Sequence, residues 1–164
     1  MPGTVGETVN DRLVSRAQYR EAYGIYAGSD GGNVSVYSNQ VVTYGDYSVG
    51  IYAAAFNYYD SGNLLNLQGD VYVSSGAVFT YGSGAIGIQA YAEGGDIEIH
   101  SSYIRTSGFN ADGIDAYAAY YFDPVLLTYY SGDVYIDSGS VVTYGDFAEG
   151  IDAFAGGGSV YVYA

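Results

Sequence analysis

One tetrapeptide, Gly-Ile-x-Ala, returns five times in this chain, at Gly24–Ala27, Gly50–Ala53, Gly87–Ala90, Gly113–Ala116 and Gly150–Ala153. The copies lie 26, 37, 26 and 37 residues apart, so a pair of units repeats every 63 residues. Self-similarity at such a period is the signature of stacked repeat architectures, and it constrains the fold more than any other feature of the sequence.

Two further segments recur in each unit. The first is x-Val-x-Val, at Asn33–Val36, Asp70–Val73, Asp96–Ile99, Asp133–Ile136 and Ser159–Val162. The second is Val-x-Thr-x-Gly, at Val41–Gly45, Val78–Gly82, Ile104–Gly108 and Val141–Gly145, with the last Thr position read as Thr106 and Thr143 in the later copies. Each run alternates apolar and polar residues, the period of a strand with one buried face. Gly, Ser, Asp and Asn separate the runs and mark turns. Val, Ile, Thr, Tyr and Phe outnumber helix formers such as Leu, which agrees with strands.

Three short strands per unit predict an all-β chain wound as a parallel β-helix (a β-solenoid) of about five coils, with equivalent strands about 4.8 Å apart in three parallel sheets. Crossover chirality favours the right-handed form. Alternation places Ile51, Ala53, Val71, Val73, Val78 and Thr80 inside one coil, with matching residues in the others. Gly45, Gly82, Gly108 and Gly145 fall at corners.

The 11 extra residues of the long units fall in one place, as Tyr-rich excursions over roughly Phe56–Gly69 and Ala119–Gly132. Tyr58, Tyr59 and Asp60 align with Tyr121, Phe122 and Asp123. Both excursions carry leucines, at Leu64, Leu65 and Leu67 and at Leu126 and Leu127. Two coils apart, they are expected to emerge on one side and pack over a sheet or over each other. Residues 24–164 form the repeat region, and residues 1–23 read as a cap or a degenerate coil. Within that segment Leu13-Val14-Ser15 echoes the Val-x-Thr strand with two extra residues; a short helix over Asp11–Ala22, carrying Arg12, Arg16 and Arg20, is the alternative. Ser159–Ala164 ends in a strand, which suggests a truncated chain or a neighbour stacked on its open edge.

Composition limits the partners. The chain has 18 acidic residues against four arginines and no lysine, for a net charge of −14, which repels nucleic acid and anionic lipid. No cysteine is present, so disulfides, thiol nucleophiles and Cys-based zinc sites are excluded. No apolar run reaches the length of a membrane-spanning helix, and the first residues do not resemble a signal peptide. If exported, the chain is expected to be a processed piece or a fragment.

The grammar Val-x-Thr-x-Gly-Asp, Gly-Ile-x-Ala, a Gly/Asp turn and Asp-Val-x-Val resembles the β-helical passenger repeats of Gram-negative autotransporters and related type V secreted adhesins. Val141–Asp146 followed by Gly150–Ala153 is the clearest copy, and the resemblance covers about residues 24–164. It implies export, an extracellular or cell-surface location, and a role in adhesion or biofilm formation. The family's signal peptide and terminal translocator barrel are not visible in this sequence.

Catalytic signals are sparse. His100, the one histidine, points outward by register, in the row of Tyr37, Ser74 and Asp137, with no carboxylate or serine in a repeated triad pattern beside it. Asp115 and Asp152 are stacked neighbours whose spacing suits a retaining glycosidase. However, the same slot holds Tyr26, Tyr52 and Gln89, which marks a tolerant surface position. Asp70, Asp96 and Asp133, with Asn33, form a ladder that reads as turn capping. Calcium is the one cofactor such a ladder admits, and no other metal or cofactor is expected.

Tyrosine, with 22 copies, carries the functional expectation. Tyr44, Tyr81 and Tyr144 share one outward row, interrupted by Ser107; Tyr72, Tyr135 and Tyr161 share another, interrupted by Glu98. Such ladders stabilise sheet faces and also offer sticky stripes. The expected binding residues are Tyr44, Tyr81 and Tyr144 with Tyr58, Tyr59, Tyr120 and Tyr121 of the excursions. The expected function is a non-enzymatic, surface-presented structural or adhesive protein that meets a glycan, a surface protein or identical chains. The alternatives are a self-assembling filament subunit and a polysaccharide-acting or tailspike module.

Overall fold

The computed structural model describes residues 8–10, 13–16, 22–63 and 65–164, with side chains from residue 22 onward. All regular structure among the described residues is β. The strands are β1 (Thr8–Asn10), β2 (Leu13–Arg16), β3 (Tyr23–Asp30), β4 (Val34–Tyr44), β5 (Val49–Phe56), β6 (Tyr58–Asp60), β7 (Leu65–Leu67), β8 (Val71–Tyr81), β9 (Ile86–Glu93), β10 (Ile97–Ser107), β11 (Ile114–Ala119), β12 (Tyr121–Asp123), β13 (Thr128–Tyr130), β14 (Val134–Ser138), β15 (Val141–Tyr144), β16 (Ile151–Ala155) and β17 (Val160–Tyr163).

The repeat sets the register. In the smaller sheet, ordered β3-β5-β9-β11-β16, every pair is parallel, and Ile25, Ile51, Ile88, Ile114 and Ile151 are successive partners. In the larger sheet β4, β8, β10, β14 and β17 follow one another, again all parallel, with Val34, Val71, Ile97, Val134 and Val160 in line. Like residue therefore lies on like residue, one storey above the next, and neither sheet closes into a barrel.

Two parallel sheets are formed where the sequence predicts three. The x-Val-x-Val and Val-x-Thr runs, expected to be separate strands, are continuous in β4, β8 and β10 and separate in β14 and β15. The reason lies at the bend. In β4 the buried residues are Val34, Val36 and Ser38, then Val41 and Thr43, so alternation slips by one residue at Asn39–Gln40. That slip turns the inward direction while hydrogen bonding carries on around the corner.

Between the two sheets lies one apolar core of stacked Ile, Val and Ala. Ile51, Ala53, Val71, Val73, Val78 and Thr80, expected inside, are all fully buried. Serines at the bend bond along the stack, Ser38 to Ser75 at 3.0 Å and Ser101 to Ser138 at 2.7 Å.

The corners are stacked too. Gly45 N–H donates to the Tyr81 carbonyl, Gly82 to Ser107 and Gly108 to Tyr144, each within 2.9 Å. Gly82, at φ +146°, has no room for a Cβ, which would run into the Gly45 carbonyl of the adjoining storey. That close approach is why glycine recurs there.

The excursions are antiparallel hairpins, β6 with β7 and β12 with β13. Equivalent residues pair equivalently: Asp60 opposes Leu65, and Asp123 opposes Thr128. Each hairpin starts its turn with an aspartate. Asp60 Oδ1 accepts from the Gly62 and Asn63 N–H groups, and Asp123 Oδ1 from those of Val125 and Leu126. The hairpins touch, as Tyr121 Oη donates to Asn66 Oδ1 at 3.1 Å. Leu64 lies outside the described residues.

In the first segment, Leu13, Val14 and Ser15 pair in parallel with Val41, Val42 and Thr43, an offset of 28 residues where the short unit has 26. The backbone there is strand, which corrects the helical alternative over Leu13–Arg16. Residues 11–12 and 17–21 of that helix lie outside the described residues.

Candidate functional site

Side chains on the outer faces alternate between adjacent rows, and each row runs along the stack. On the larger sheet, one row is Ser35, Tyr72, Glu98, Tyr135 and Tyr161, and the next is Tyr37, Ser74, His100, Asp137 and Tyr163. Rings fill them in zigzag. Tyr37 meets Tyr72 at 5.5 Å between centroids, Tyr72 meets His100 at 5.7 Å, His100 meets Tyr135 at 5.7 Å, and Tyr135 meets Tyr163 at 5.7 Å. The Glu98 interruption expected in the tyrosine ladder is thus bridged by His100 from the neighbouring row.

The carboxylates are also closer to His100 than its sequence neighbourhood suggested. Glu98 Oε1 lies 2.6 Å from Nε2, and Asp137 Oδ2 lies 3.9 Å from Nδ1. A polar hollow of about 200 Å³ is lined there by Ser74, Ser75, Ser101, Ser102, His100 and Asp137. Both ring nitrogens face carboxylates rather than a serine hydroxyl, so the group lacks the serine–histidine contact of a nucleophilic triad.

The seven expected tyrosines are distributed rather than assembled. Tyr44 and Tyr81 stack at 5.1 Å, while Tyr144 lies beyond Ser107 and is covered by the Arg105 guanidinium at 5.0 Å. Tyr58 and Tyr59 stand exposed on the first hairpin. Tyr120 packs on Tyr129 at 6.0 Å beside the second, and Tyr121 joins the hairpins through Asn66.

A better-formed site lies on the smaller sheet, and the sequence reading did not assemble it. Its outer rows are Tyr26, Tyr52, Gln89, Asp115, Asp152 and, two residues on, Gly28, Ala54, Tyr91, Tyr117, Phe154. Aromatic residues occupy the first row for two storeys and then switch to the second for three. Tyr26 stacks on Tyr52 at 5.0 Å; Tyr91 stacks on Tyr117 at 5.9 Å, and Tyr117 on Phe154 at 4.9 Å. Phe56, at the end of β5, meets Tyr91 at 5.5 Å.

The switch leaves a notch. A cleft of about 250 Å³ is lined by Tyr52, Phe56, Gln89, Ala90, Tyr91, Asp115 and Tyr117. Gln89 Nε2 donates to Asp115 Oδ2 at 2.9 Å, fixing an amide and a carboxylate side by side at its base. Burial pushes the Asp115 carboxyl above the usual carboxylate range, opposed by the Gln89 hydrogen bond and reinforced by Asp152 and Asp112. Burial likewise raises the phenol of Tyr52, with Tyr26 and Tyr23 adding to it, and that of Tyr91, with Glu93, Tyr117 and Tyr52 adding to it. Asp152 does not line the cleft. The signal for this site is visible in the tetrapeptides themselves, where Gly-Ile-Tyr-Ala gives way to Gly-Ile-x-Ala-Tyr and Gly-Ile-x-Ala-Phe.

The aspartate ladder is a hydrogen-bonded one. Asn33 Oδ1 accepts from Asp70 N–H, Asp70 from Asp96, Asp96 from Asp133 and Asp133 from Ser159, at 2.7–2.9 Å. Capping of backbone N–H groups is as expected, but each bond reaches the adjoining storey instead of the same turn. Among the described residues no cluster of three or more acidic or histidine side chains is arranged to hold a metal ion.

Chemically, the cleft offers ring faces for stacking, one amide and one carboxylate for orientation. Compared with known proteins, the chain matches no family model, no curated protein and no solved structure.

Proposed function

We propose that this chain is a segment of a right-handed parallel β-helix that acts without catalysis, presenting aromatic faces at the cell surface or outside the cell to a glycan. Supporting this reading above all is the notch on the smaller sheet, where stacked rings flank a fixed amide–carboxylate pair. Sugar rings bind such surfaces through their C–H faces, while hydroxyls pair with amide and carboxylate groups. The excess of acid and the scarcity of arginine fit a partner other than nucleic acid or anionic lipid. Export and adhesion are what the resemblance of the repeat grammar to autotransporter passenger repeats implies.

Binding of the purified chain to a panel of immobilised neutral, acidic and amino glycans tests the proposal. Retention on at least one class is expected, with a loss of about tenfold in Tyr91→Ala/Tyr117→Ala, since each stacked ring contributes about 0.5–1.5 kcal/mol. Equal retention of the folded double variant would remove the cleft from the reading. Persistent fibres by light scattering and negative stain would redirect it towards a filament subunit, and glycan cleavage would overturn its non-enzymatic part.

A further inference from the structure

We propose that the smaller-sheet cleft selects an amino sugar, packing the ring against Tyr52, Tyr91 and Tyr117 and placing its ammonium group on Asp115. This rests on the glycan reading above and names the class of sugar.

The cleft's size, about 250 Å³, lies below the ~300–1,000 Å³ of pockets for drug-sized ligands, which suits one ring of an oligosaccharide. Its charge decides the rest. Asp115 is half-buried and receives one hydrogen bond, from Gln89, with no other donor reaching its carboxylate among the described residues. Asp152 is its partner in the adjoining storey, so the negative charge extends along the row. Arg105, the one arginine beyond residue 20, sits on the other sheet against Tyr144.

A ligand that covers the cleft takes Asp115 further from water, and a buried carboxylate without a counter-charge is unfavourable. An anionic sugar adds repulsion. A neutral sugar supplies hydroxyl donors but no charge. An ammonium group supplies both, and the face of Tyr52 turned from Tyr26 and that of Tyr91 turned from Tyr117 favour a cation lying over them. Amine and ring face are joined in one residue of an amino sugar, which matches carboxylate and ring faces lining one notch.

The test is calorimetric titration of the chain with a β-1,4-linked glucosamine tetramer and with its fully N-acetylated counterpart, at fixed ionic strength. The free-amine tetramer is expected to bind at least tenfold more tightly, a difference of about 1.4 kcal/mol. Asp115→Asn, and Asp115→Gln, which copies the residue already present at Gln89, should erase that ratio by lowering the affinity for the free-amine tetramer to that for the acetylated one. Asp137→Asn, which removes an equal charge from the other sheet, should preserve it. Equal affinity for the two tetramers overturns the ammonium assignment and leaves glycan binding standing. A matching loss in the Asp115 and Asp137 variants attributes the preference to diffuse charge and overturns the site. Absence of binding by either tetramer and by every glycan of the wider panel sinks the glycan reading and this inference together.

Discussion

Removing the side chain of Asp96 isolates what the aspartate ladder contributes. Asp96 Oδ1 accepts the Asp133 N–H at 2.8 Å, and the Asp96 N–H donates to Asp70 Oδ1 at 2.9 Å, so this residue joins two storey junctions. Asp96→Ala deletes the first bond and keeps the second. A hydrogen bond to an ionised acceptor contributes about 1.5–3 kcal/mol, and the exposed turn favours the lower end. Against this stand two like charges, Asp70 and Asp133, each about 5 Å away at strand spacing. Each repulsion amounts to about 0.8 kcal/mol in water and roughly half that at physiological salt. Deleting the charge therefore returns about 0.9 kcal/mol, and the net loss is about 0.6 kcal/mol, or a melting temperature lower by roughly 1–2 °C.

Asp96→Asn separates the two effects. It keeps an oxygen acceptor, as Asn33 does in the first storey, and removes the charge. The weaker neutral bond is offset by the relieved repulsion, so its stability should equal or slightly exceed that of the parent. Thermal melts followed by circular dichroism, at low and high sodium chloride, give the order. The expected sequence is Asn at or above parent, then Ala, with salt narrowing the gap between parent and Asn. If Asn is as damaging as Ala, the ladder does not act through the acceptor. If Asn alone abolishes a calcium-dependent rise in melting temperature, a bound cation bridges the carboxylates.

Other expectations follow from the core, the corners and the titrating groups. Ile88 is fully buried between Ile51 and Ile114, so Ile88→Ala should lose about 2–5 kcal/mol in urea unfolding; a loss under 1 kcal/mol would contradict the stacked interior. Gly82→Ala places a methyl group against the Gly45 carbonyl at a φ few side chains adopt. Its folded yield should fall well below that of the same change at Gly150, where a Cβ meets nothing within 4 Å. Asp60 is held below the usual range by the Asn63 side chain and the Gly62 N–H; for Asp123, burial pushes upward but the Leu126 N–H, the Asn66 side chain and the Val125 N–H outweigh it. Both contributions are complete above the ordinary carboxylate pKa and vanish as pH falls through the lowered values. Amide exchange at Gly62, Asn63, Val125 and Leu126, corrected for intrinsic rates, should therefore lose protection in acid before the core strands do. Asp115 has the opposite sign: its raised pKa makes a contribution present at low pH and lost as pH rises. Asp115→Asn should match or exceed parent stability at neutral pH, with the gap closing in acid.

Sequence alone determined which residues lie on which. A repeat of 26 and 37 residues fixes the offset between storeys, and alternation fixes inside from outside, so the Ile51, Ile88 and Ile114 column follows without coordinates. The equivalence of Tyr58, Tyr59 and Asp60 with Tyr121, Phe122 and Asp123 followed in the same way. What a one-dimensional pattern lacks is the direction taken at a bend and the lean of a ring. Pairing skips Asn39 and resumes at Gln40 within the same strand, which merges two expected sheets into one, because the ladder responds to backbone angles while alternation counts residues. His100 enters the tyrosine ladder, and Arg105 covers Tyr144, because long side chains reach across rows that sequence treats as separate. The cleft exists only where ring columns on adjacent rows exchange places; the letters that change are visible, but the space between them arises from packing.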